Sequence, residues 1–170
     1  MKQFYCTVAL SISLVIIGCT RHDENNDLNS VDYEFLQQTS KYNTGEIAAA
    51  ELAISKSTNA VVKGFARDIS SSYADAQSEL EAQANYLKVA LTNSLNIGSR
   101  AVSNSLNSFS GYQFDTAYLW SRVRAHKDML SVYQRTFNEG NNASIKGYVH
   151  RHIDMIRINY LTADSLARKL

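Results

Sequence analysis

Four polar residues that could form a chemical site occur at similar heights along four predicted helices. They are Glu46, Tyr73, His126 and Asn159, and each lies on, or continues, the apolar stripe of its helix. Their distances from the predicted turns, at about 1.5 Å per residue, place all four near the middle of a bundle. Carboxylate and imidazole groups bind metals and transfer protons. The first interpretation is a hydrogen-bonded polar layer, because buried polar groups need partners.

The second interpretation is a metal site within the same layer. Tight transition-metal sites use about three or four good donors. Here the layer offers one carboxylate, Glu46, and one imidazole, His126. His152 also faces inward, but it lies two helical turns from Asn159, about 10 Å along the helix axis. The sequence therefore predicts at most weak binding of a divalent metal, and no other cofactor.

The motifs that would predict an enzyme are absent from the sequence. Di-iron bundles carry Glu-x-x-His on two of their helices, and the chain contains no Glu-x-x-His. A glycine-rich phosphate loop, His-Glu-x-x-His and Gly-x-Ser-x-Gly are also missing. A binding or scaffolding role is therefore predicted ahead of catalysis, with no catalytic residue assigned.

Apolar residues recur at steps of three and four along four long segments, as in a helical bundle. The predicted helices cover residues 32–57, 60–89, 112–138 and 143–168. Asn59, Ser110 and Asn142 precede three of them as candidate N-caps, and Gly140 suits a helix stop. The inward stripe predicted for the third helix is Tyr112, Leu119, Val123, His126, Leu130, Tyr133 and Phe137. The absence of proline agrees with long helices and few turns.

The two halves of the chain resemble each other. Residues 59–66, Asn-Ala-Val-Val-Lys-Gly-Phe-Ala, align with residues 142–149, Asn-Ala-Ser-Ile-Lys-Gly-Tyr-Val. This indicates two similar hairpins, although a chance match of a helix-start pattern would look the same. Residues 20–98 carry an acidic excess and residues 99–170 a basic one. The hairpins should therefore attract each other, while the alternative is a basic face that touches an anionic membrane or polymer.

The connection between the second and third helices is long. Residues 90–110 are rich in Ser and Asn, with a short helix predicted near residues 102–109. About 20 extended residues reach about 66 Å, whereas a helix of about 27 residues is about 40 Å long. The connection can therefore cross the whole bundle, as a ferritin-like topology requires.

The N-terminus predicts export and lipid attachment. Lys2 precedes an apolar stretch at residues 4–17, which is shorter than the roughly 20 residues of a membrane span. The stretch ends in Ile-Ile-Gly-Cys19, which resembles the bacterial lipobox, whereas the alternative is an ordinary signal with an incidental cysteine. We divide the chain into a signal peptide at residues 1–18, a lipidated N-terminus and flexible tether at 19–31, and a bundle at 32–170. Cys6 leaves with the signal, so no disulfide is expected.

Several short runs, in their order and spacing, resemble a known family. The runs are Phe35-Leu36-Gln37-Gln38, Glu46-Ile47, Thr58-Asn59, Val62-Lys63-Gly64-Phe65-Ala66, Phe114-Asp115, Ala117-Tyr118-Leu119 and His126. Together they resemble the exported ferritin-like bacterial proteins called domain of unknown function 4142. The resemblance implies a ferritin-like four-helix bundle in the cell envelope and no established reaction. It also implies an interior Glu, here Glu46, and one His on each other helix. The chain has His126 but carries Tyr73 and Asn159 at the other two positions.

Composition limits the function classes further. The chain has 170 residues, enough for one domain, and a net charge of +1, which argues against a nucleic-acid binder. We expect a lipid-anchored envelope protein, in the outer membrane and facing the periplasm or the surface. Its bundle would bind or scaffold an envelope protein partner without catalysis. The alternative is a bundle that binds a metal or small ligand at a reduced site.

Overall fold

The computed structural model describes residues 27–92 and 103–170. Its four long helices are α1 Ser30–Lys56, α2 Ala60–Tyr86, α3 Gly111–Glu139 and α4 Ala143–Ala167. A short helix at 103–107 precedes α3, and the described residues contain no strand. The predicted all-α class and the four helices are confirmed, with small differences at the helix ends. The predicted signal peptide, Cys19 and most of the tether lie outside the described residues.

The helices form an up-down-down-up bundle of two hairpins. The α1 helix packs on α2, α3 packs on α4, and the hairpins meet where α1 contacts α3 and α2 contacts α4. The α2 helix ends beside the start of α1, whereas the short helix lies beside the end of α1, where Lys56 Nζ donates to the Asn107 carbonyl at 2.7 Å. The connection therefore crosses the bundle, as the ferritin-like topology predicts. We call the end with the start of α1 and the α3–α4 turn the tether end, and the opposite end the crossover end.

Helix N-termini explain the internal repeat. Asn59 Oδ1 accepts hydrogen bonds from the backbone of Val61 and Val62 at 2.9 and 3.3 Å. Asn142 Oδ1 does the same for Ser144 and Ile145 at 3.0 and 3.1 Å. The repeated asparagine thus satisfies two otherwise free N–H groups at the start of each hairpin's second helix. Ser110 occupies the N-cap of α3, but its side chain makes no capping hydrogen bond.

The start of α1 is tied to the α3–α4 turn by a buried carboxylate. Asn29 and Asp32 form a capping box, which the sequence analysis did not identify and which starts α1 two residues before the predicted Asp32. Asp32 Oδ2 also accepts from the backbone N–H groups of Asn141 and Asn142, at 3.0 and 3.1 Å. Asn29 Nδ2 donates to the Glu139 carbonyl at 2.8 Å. The Asp32 carboxylate therefore joins the first helix to the turn of the second hairpin, and Asn29 joins it to the end of α3.

Two helix ends differ from the sequence prediction. The end of α3 differs in the role of its glycine, and the end of α2 differs in its position. Gly140 ends α3 with φ −63°, so it is not a left-handed stop. Its smallness is needed instead, because a Cβ there would lie 2.6 Å from both Asp32 Oδ1 and the Thr136 carbonyl oxygen. The α2 helix ends at Tyr86, three residues before the predicted Val89, because Lys88 adopts φ 58° and Val89 N–H donates back to the Ala84 carbonyl.

The core runs along the bundle axis and is rich in buried aromatic rings. Its largest fully buried side chains are Tyr73, Tyr118, Tyr133, Tyr148, Phe35 and Phe114. Two positions predicted to face inward do not: Tyr112 and Phe137 are 63% and 51% exposed. Both lie within two residues of an end of α3, where the bundle no longer covers that face. Leu130 was also predicted to face inward, but it is only partly buried, and the neighbouring Met129 is buried instead.

The charge difference between the hairpins appears as ion pairs across their seam. Glu34 on α1 accepts from Arg135 on α3 at 2.8 Å, and Glu79 on α2 pairs with Arg151 on α4. Each acidic partner comes from the first hairpin and each basic partner from the second, as the charge distribution predicted. These pairs are about half exposed, so each contributes only about 0–1 kcal/mol to stability. Their main effect is to select which faces of the two hairpins pack together. None of the described helices has the length and apolar character needed to cross a membrane.

Candidate polar site in the bundle core

A buried ion pair lies at the centre of the bundle. Arg122 Nη1 on α3 donates to Glu46 Oε1 on α1 at 2.5 Å, and the two side chains are 5% and 2% exposed. The Arg122 guanidinium also lies over the Tyr118 ring, 5.8 Å from its centroid. Burial disfavours the charged form of Arg122. The Glu46 carboxylate and neighbouring groups more than offset this effect and raise the pKa of Arg122. The arginine therefore remains a permanent cation beside the carboxylate.

His126 lies one helical turn after Arg122, on the same face of α3, and is fully buried. Its Nδ1 is 2.7 Å from the Arg122 carbonyl oxygen. Because a carbonyl only accepts, Nδ1 carries the proton, and the neutral ring presents the Nε2 lone pair on its other side. Burial lowers the pKa of His126, although the Glu46 carboxylate acts in the opposite direction. At neutral pH the ring is therefore an acceptor at Nε2.

The two acceptors of the layer face each other without a donor between them. His126 Nε2 lies 3.9 Å from Glu46 Oε2, and neither atom has a hydrogen-bond partner within residues 27–92 and 103–170. A lone pair facing a carboxylate oxygen explains why the atoms stay beyond hydrogen-bond distance. The predicted direct hydrogen bond between Glu46 and His126 is thus not made. A water molecule, a proton on Nε2 or a cation would each satisfy both atoms.

Two tyrosines close the layer. The hydroxyl groups of Tyr42 and Tyr73 are 3.3 Å apart, and both rings pack edge-on against His126, at 6.1 and 5.8 Å between centroids. Burial raises the pKa of both phenols, and the Glu46 carboxylate raises it further. Both are therefore neutral donors rather than phenolates. The Asn159 side chain lies next to Tyr73, but its Nδ2 atom has no hydrogen-bond partner among the described residues.

The structure brings together four of the five residues that the sequence predicted for this site. Glu46, Tyr73, His126 and Asn159 form the layer, whereas His152 does not belong to it. His152 Nε2 instead contacts Glu79 Oε2 at 2.8 Å, at the boundary between α2 and α4. Two helical turns separate it from the layer, and its partner is a partly exposed carboxylate. His152 is therefore part of the seam between the hairpins.

Two members of the layer, Arg122 and Tyr42, are not among the site residues predicted from the sequence. Arg122 precedes His126 by one helical turn, and Tyr42 precedes Glu46 by one turn. Each residue therefore shares a face with a residue that was selected. An arginine on an inward face, opposite a glutamate on another inward face, was the available signal, because a buried charge needs an opposite charge.

The donor set fits a metal poorly. Glu46 Oε2 and His126 Nε2 are the two available donors, and Tyr73 is a neutral phenol at this site. The guanidinium of Arg122 lies directly on the same carboxylate and would repel a second cation. Within residues 27–92 and 103–170, no group of three or more His, Cys, Asp or Glu side chains could hold a metal ion. The layer is an internally neutralised polar core.

A separate groove lies on the surface, between the short helix and α3. Its volume is about 530 Å³. Leu106, Phe109, Ala117 and Trp120 supply most of its apolar lining, and Arg124 stands at its edge. The Arg168 guanidinium stacks on Trp120 at 6.0 Å. This groove joins an aromatic floor to exposed basic groups, a combination that is frequent at binding surfaces.

The fold and the site together define a class of protein, the ferritin-like bundle. In this bundle the Arg122 guanidinium lies at the centre. The family model for domain of unknown function 4142 (DUF4142) matches residues 18–166. The chain belongs to this family.

One solved structure with a similar fold is a fragment of a DUF305 protein from Deinococcus radiodurans. The TM-score is 0.76 with 14% sequence identity, over 84% of this chain and 99% of that one. At this identity the likeness concerns the fold alone. A comparison with curated proteins finds none that matches significantly.

Proposed function

We propose that the protein is a lipid-anchored component of the bacterial cell envelope, whose helical bundle binds or scaffolds a partner without catalysing a reaction. The Glu46–Arg122 pair is the observation that carries the non-catalytic part. The position where a ferritin-like bundle would use a metal is taken by a guanidinium that is bonded to the carboxylate. Catalytic groups need access to a substrate, and these two side chains are at most 5% exposed.

The binding part of the proposal is supported by the surface rather than by the core. The groove beside Trp120 combines apolar walls with Arg124 and offers a ligand-sized volume, about 530 Å³. The ion pairs across the seam join α3, which forms one wall of the groove, to the first hairpin and also link α2 to α4. A bundle with a neutralised interior and an open outer groove suits recognition of a partner.

The envelope part of the proposal is supported by the sequence around Cys19. We expect Cys19→Ala to move the protein from the membrane fraction to the soluble fraction of the expressing bacterium. Cys6→Ala is the matched control, because Cys6 lies in the predicted signal peptide and should leave fractionation unchanged. An exported Cys19→Ala protein that remained with the membranes would refute the lipid anchor.

Metal binding at a reduced site is the second candidate function, and one observation favours it. Glu46 Oε2 and His126 Nε2 are buried, unpartnered and 3.9 Å apart, so a single cation could contact both. Tight sites usually use about three or four donors, so we expect weak binding.

Metal analysis of protein purified without added metal separates the two functions. The first function predicts less than stoichiometric metal, and a melting temperature that added zinc or manganese leaves unchanged. The second predicts a rise of the melting temperature by mass action, which His126→Ala would abolish. In metal-free protein, His126→Ala should lower the melting temperature by several degrees under either function, because it removes a fully buried ring and leaves a cavity in the core.

A further inference from the structure

Exposed aromatic side chains are concentrated at the tether end of the bundle. Tyr33, Tyr86 and Phe137 are 48%, 72% and 51% exposed. Tyr33 is in the first turn of α1, Tyr86 is the last residue of α2, and Phe137 is in the last turn of α3. Three helices from different parts of the chain thus each place an exposed ring at the same end. Exposed apolar residues that gather at one end of a molecule can mark an interaction site, whereas singly scattered ones are normal.

The other exposed large apolar residues differ in kind. Val61, Ile158 and Leu161 are aliphatic and belong to the half of the bundle nearer the crossover end. Tyr112 at that end is exposed too, but its hydroxyl donates to the Leu170 carbonyl. Among the described residues, three of the four exposed large aromatic residues therefore lie at the tether end.

The chain leaves the bundle beside this cluster. Asn141 Nδ2 donates to the Asp27 carbonyl at 2.9 Å, which holds the first described residue on the α3–α4 turn. Asp27, Leu28, Tyr33 and Leu87 line one surface depression. The point where the predicted tether joins the domain thus lies beside Tyr33, one of the three exposed rings.

The length of chain before Asp27 limits where this surface can be. Eight residue steps separate Cys19 from Asp27, which span at most about 29 Å. The bundle itself is about 40 Å long, since α1 has 27 residues. A lipid on Cys19 would keep the tether end near the bilayer surface and leave the crossover end free to point away from it. At such a short distance even weak contacts are populated, because the effective concentration is high.

Charge at the tether end does not favour an electrostatic contact. Arg135 is paired with both Glu34 and Glu139, one cation against two carboxylates, so this group keeps a net negative charge and offers no attraction to anionic headgroups. Tyrosine rings, by contrast, favour the interface between headgroups and acyl chains, because one edge is polar and the body is apolar.

We propose that Tyr33, Tyr86 and Phe137 form a docking surface for the lipid bilayer that holds the Cys19 lipid. The contact would place the bundle upright, with the tether end at the headgroups. The groove beside Trp120 lies toward the opposite half and would stay accessible. This inference rests on the lipid anchor of the proposed function, and the contact should be insensitive to salt because it depends on rings rather than charges.

Single-cysteine labelling tests the orientation in the full chain. The only cysteines are Cys6 and Cys19, so a new thiol in the bundle can be labelled without competition from other bundle cysteines. Tyr86→Cys and Phe137→Cys probe the tether end, whereas Val61→Cys and Leu161→Cys are controls of similar exposure. Each labelled protein is reconstituted into vesicles of phosphatidylethanolamine and phosphatidylglycerol, with and without lipids that carry a spin-label quencher at the headgroup.

We expect quenching at positions 86 and 137 to exceed that at positions 61 and 161 by at least about twofold, at low and high salt alike. Mass spectrometry of the N-terminal peptide reports independently whether Cys19 is acylated. Acylated protein with equal or reversed quenching would overturn the docking surface and leave the anchor intact. Protein without acylation would overturn the anchor, and the docking inference with it.

Discussion

Replacing Glu46 by glutamine would leave the Arg122 charge buried without its counter-charge. Glutamine keeps the shape of the side chain and one oxygen that can accept from Arg122, so the change isolates the charge. The two groups are in direct contact, at 2.5 Å. Opposite charges whose centres are about 4 Å apart interact by about 4 kcal/mol at an effective dielectric constant of about 20. Removing one partner of a buried pair typically costs about 3–5 kcal/mol.

We therefore expect Glu46→Gln to lower the free energy of unfolding by about 3 kcal/mol or more. Urea denaturation of the metal-free protein measures this directly, and an unchanged slope would show that the denatured state is the same. Glu34→Gln is the matched control, because Glu34 pairs with Arg135 and both side chains are about half exposed. That change should cost at most about 1 kcal/mol.

A double-mutant cycle with Arg122→Met separates the pair from its surroundings. The double variant removes both charges, so it should be much more stable than the sum of the single losses predicts, with a coupling of at least about 2 kcal/mol. Losses that add to within about 0.5 kcal/mol would show that the two residues act independently. The account of the core as an internally neutralised layer would then be wrong.

Three further changes test other parts of the structure. Because burial lowers the pKa of His126, the unfolded chain takes up the proton first as the pH falls. The free energy of unfolding should therefore be retained above about pH 6.5 and should fall on acidification, by up to about 1.4 kcal/mol per pH unit. Urea titrations should show that His126→Gln removes this slope; an unchanged slope would contradict a neutral buried ring facing Glu46. Asp32→Ala should lower the free energy of unfolding, measured by thermal denaturation, by about 2–4 kcal/mol, since three backbone N–H groups lose their acceptor. A loss below about 1 kcal/mol would refute the role of Asp32 in joining α1 to the α3–α4 turn. Gly140→Ala should destabilise because its Cβ would lie 2.6 Å from two oxygens, whereas Gly64→Ala meets nothing within 4 Å and should be neutral or stabilising by about 1 kcal/mol; equal melting temperatures for the two variants would contradict the close approach.

Periodicity predicted the helices well because the bundle buries one continuous stripe of each. The asparagine caps were readable for the same reason, since Asn59 and Asn142 each precede such a stripe. The end of α2 was not readable, because it depends on Lys88 in a left-handed conformation that glycine usually adopts. Sequence alone also could not show that Tyr112 and Phe137 fall where the bundle no longer covers α3.

The candidate site was predictable in its position but not in its chemistry. Periodicity brought Glu46, Tyr73, His126 and Asn159 to one height, and the structure places them there. Whether Glu46 meets a metal, a histidine or an arginine depends on side-chain reach across the bundle. Arg122 reaches the carboxylate with a long flexible stem, so helical spacing alone does not locate its guanidinium.

The joint at Asp32 has a mechanical consequence. Any tension on the segment before Asp27 enters the domain at the first turn of α1, where bonds to Glu139, Asn141 and Asn142 share it with the second hairpin. To peel α1 away, a pulling force would have to break all of these bonds. Resistance to forced unfolding is governed by the unfolding rate. The domain is therefore built so that traction at its N-terminus loads both hairpins at once.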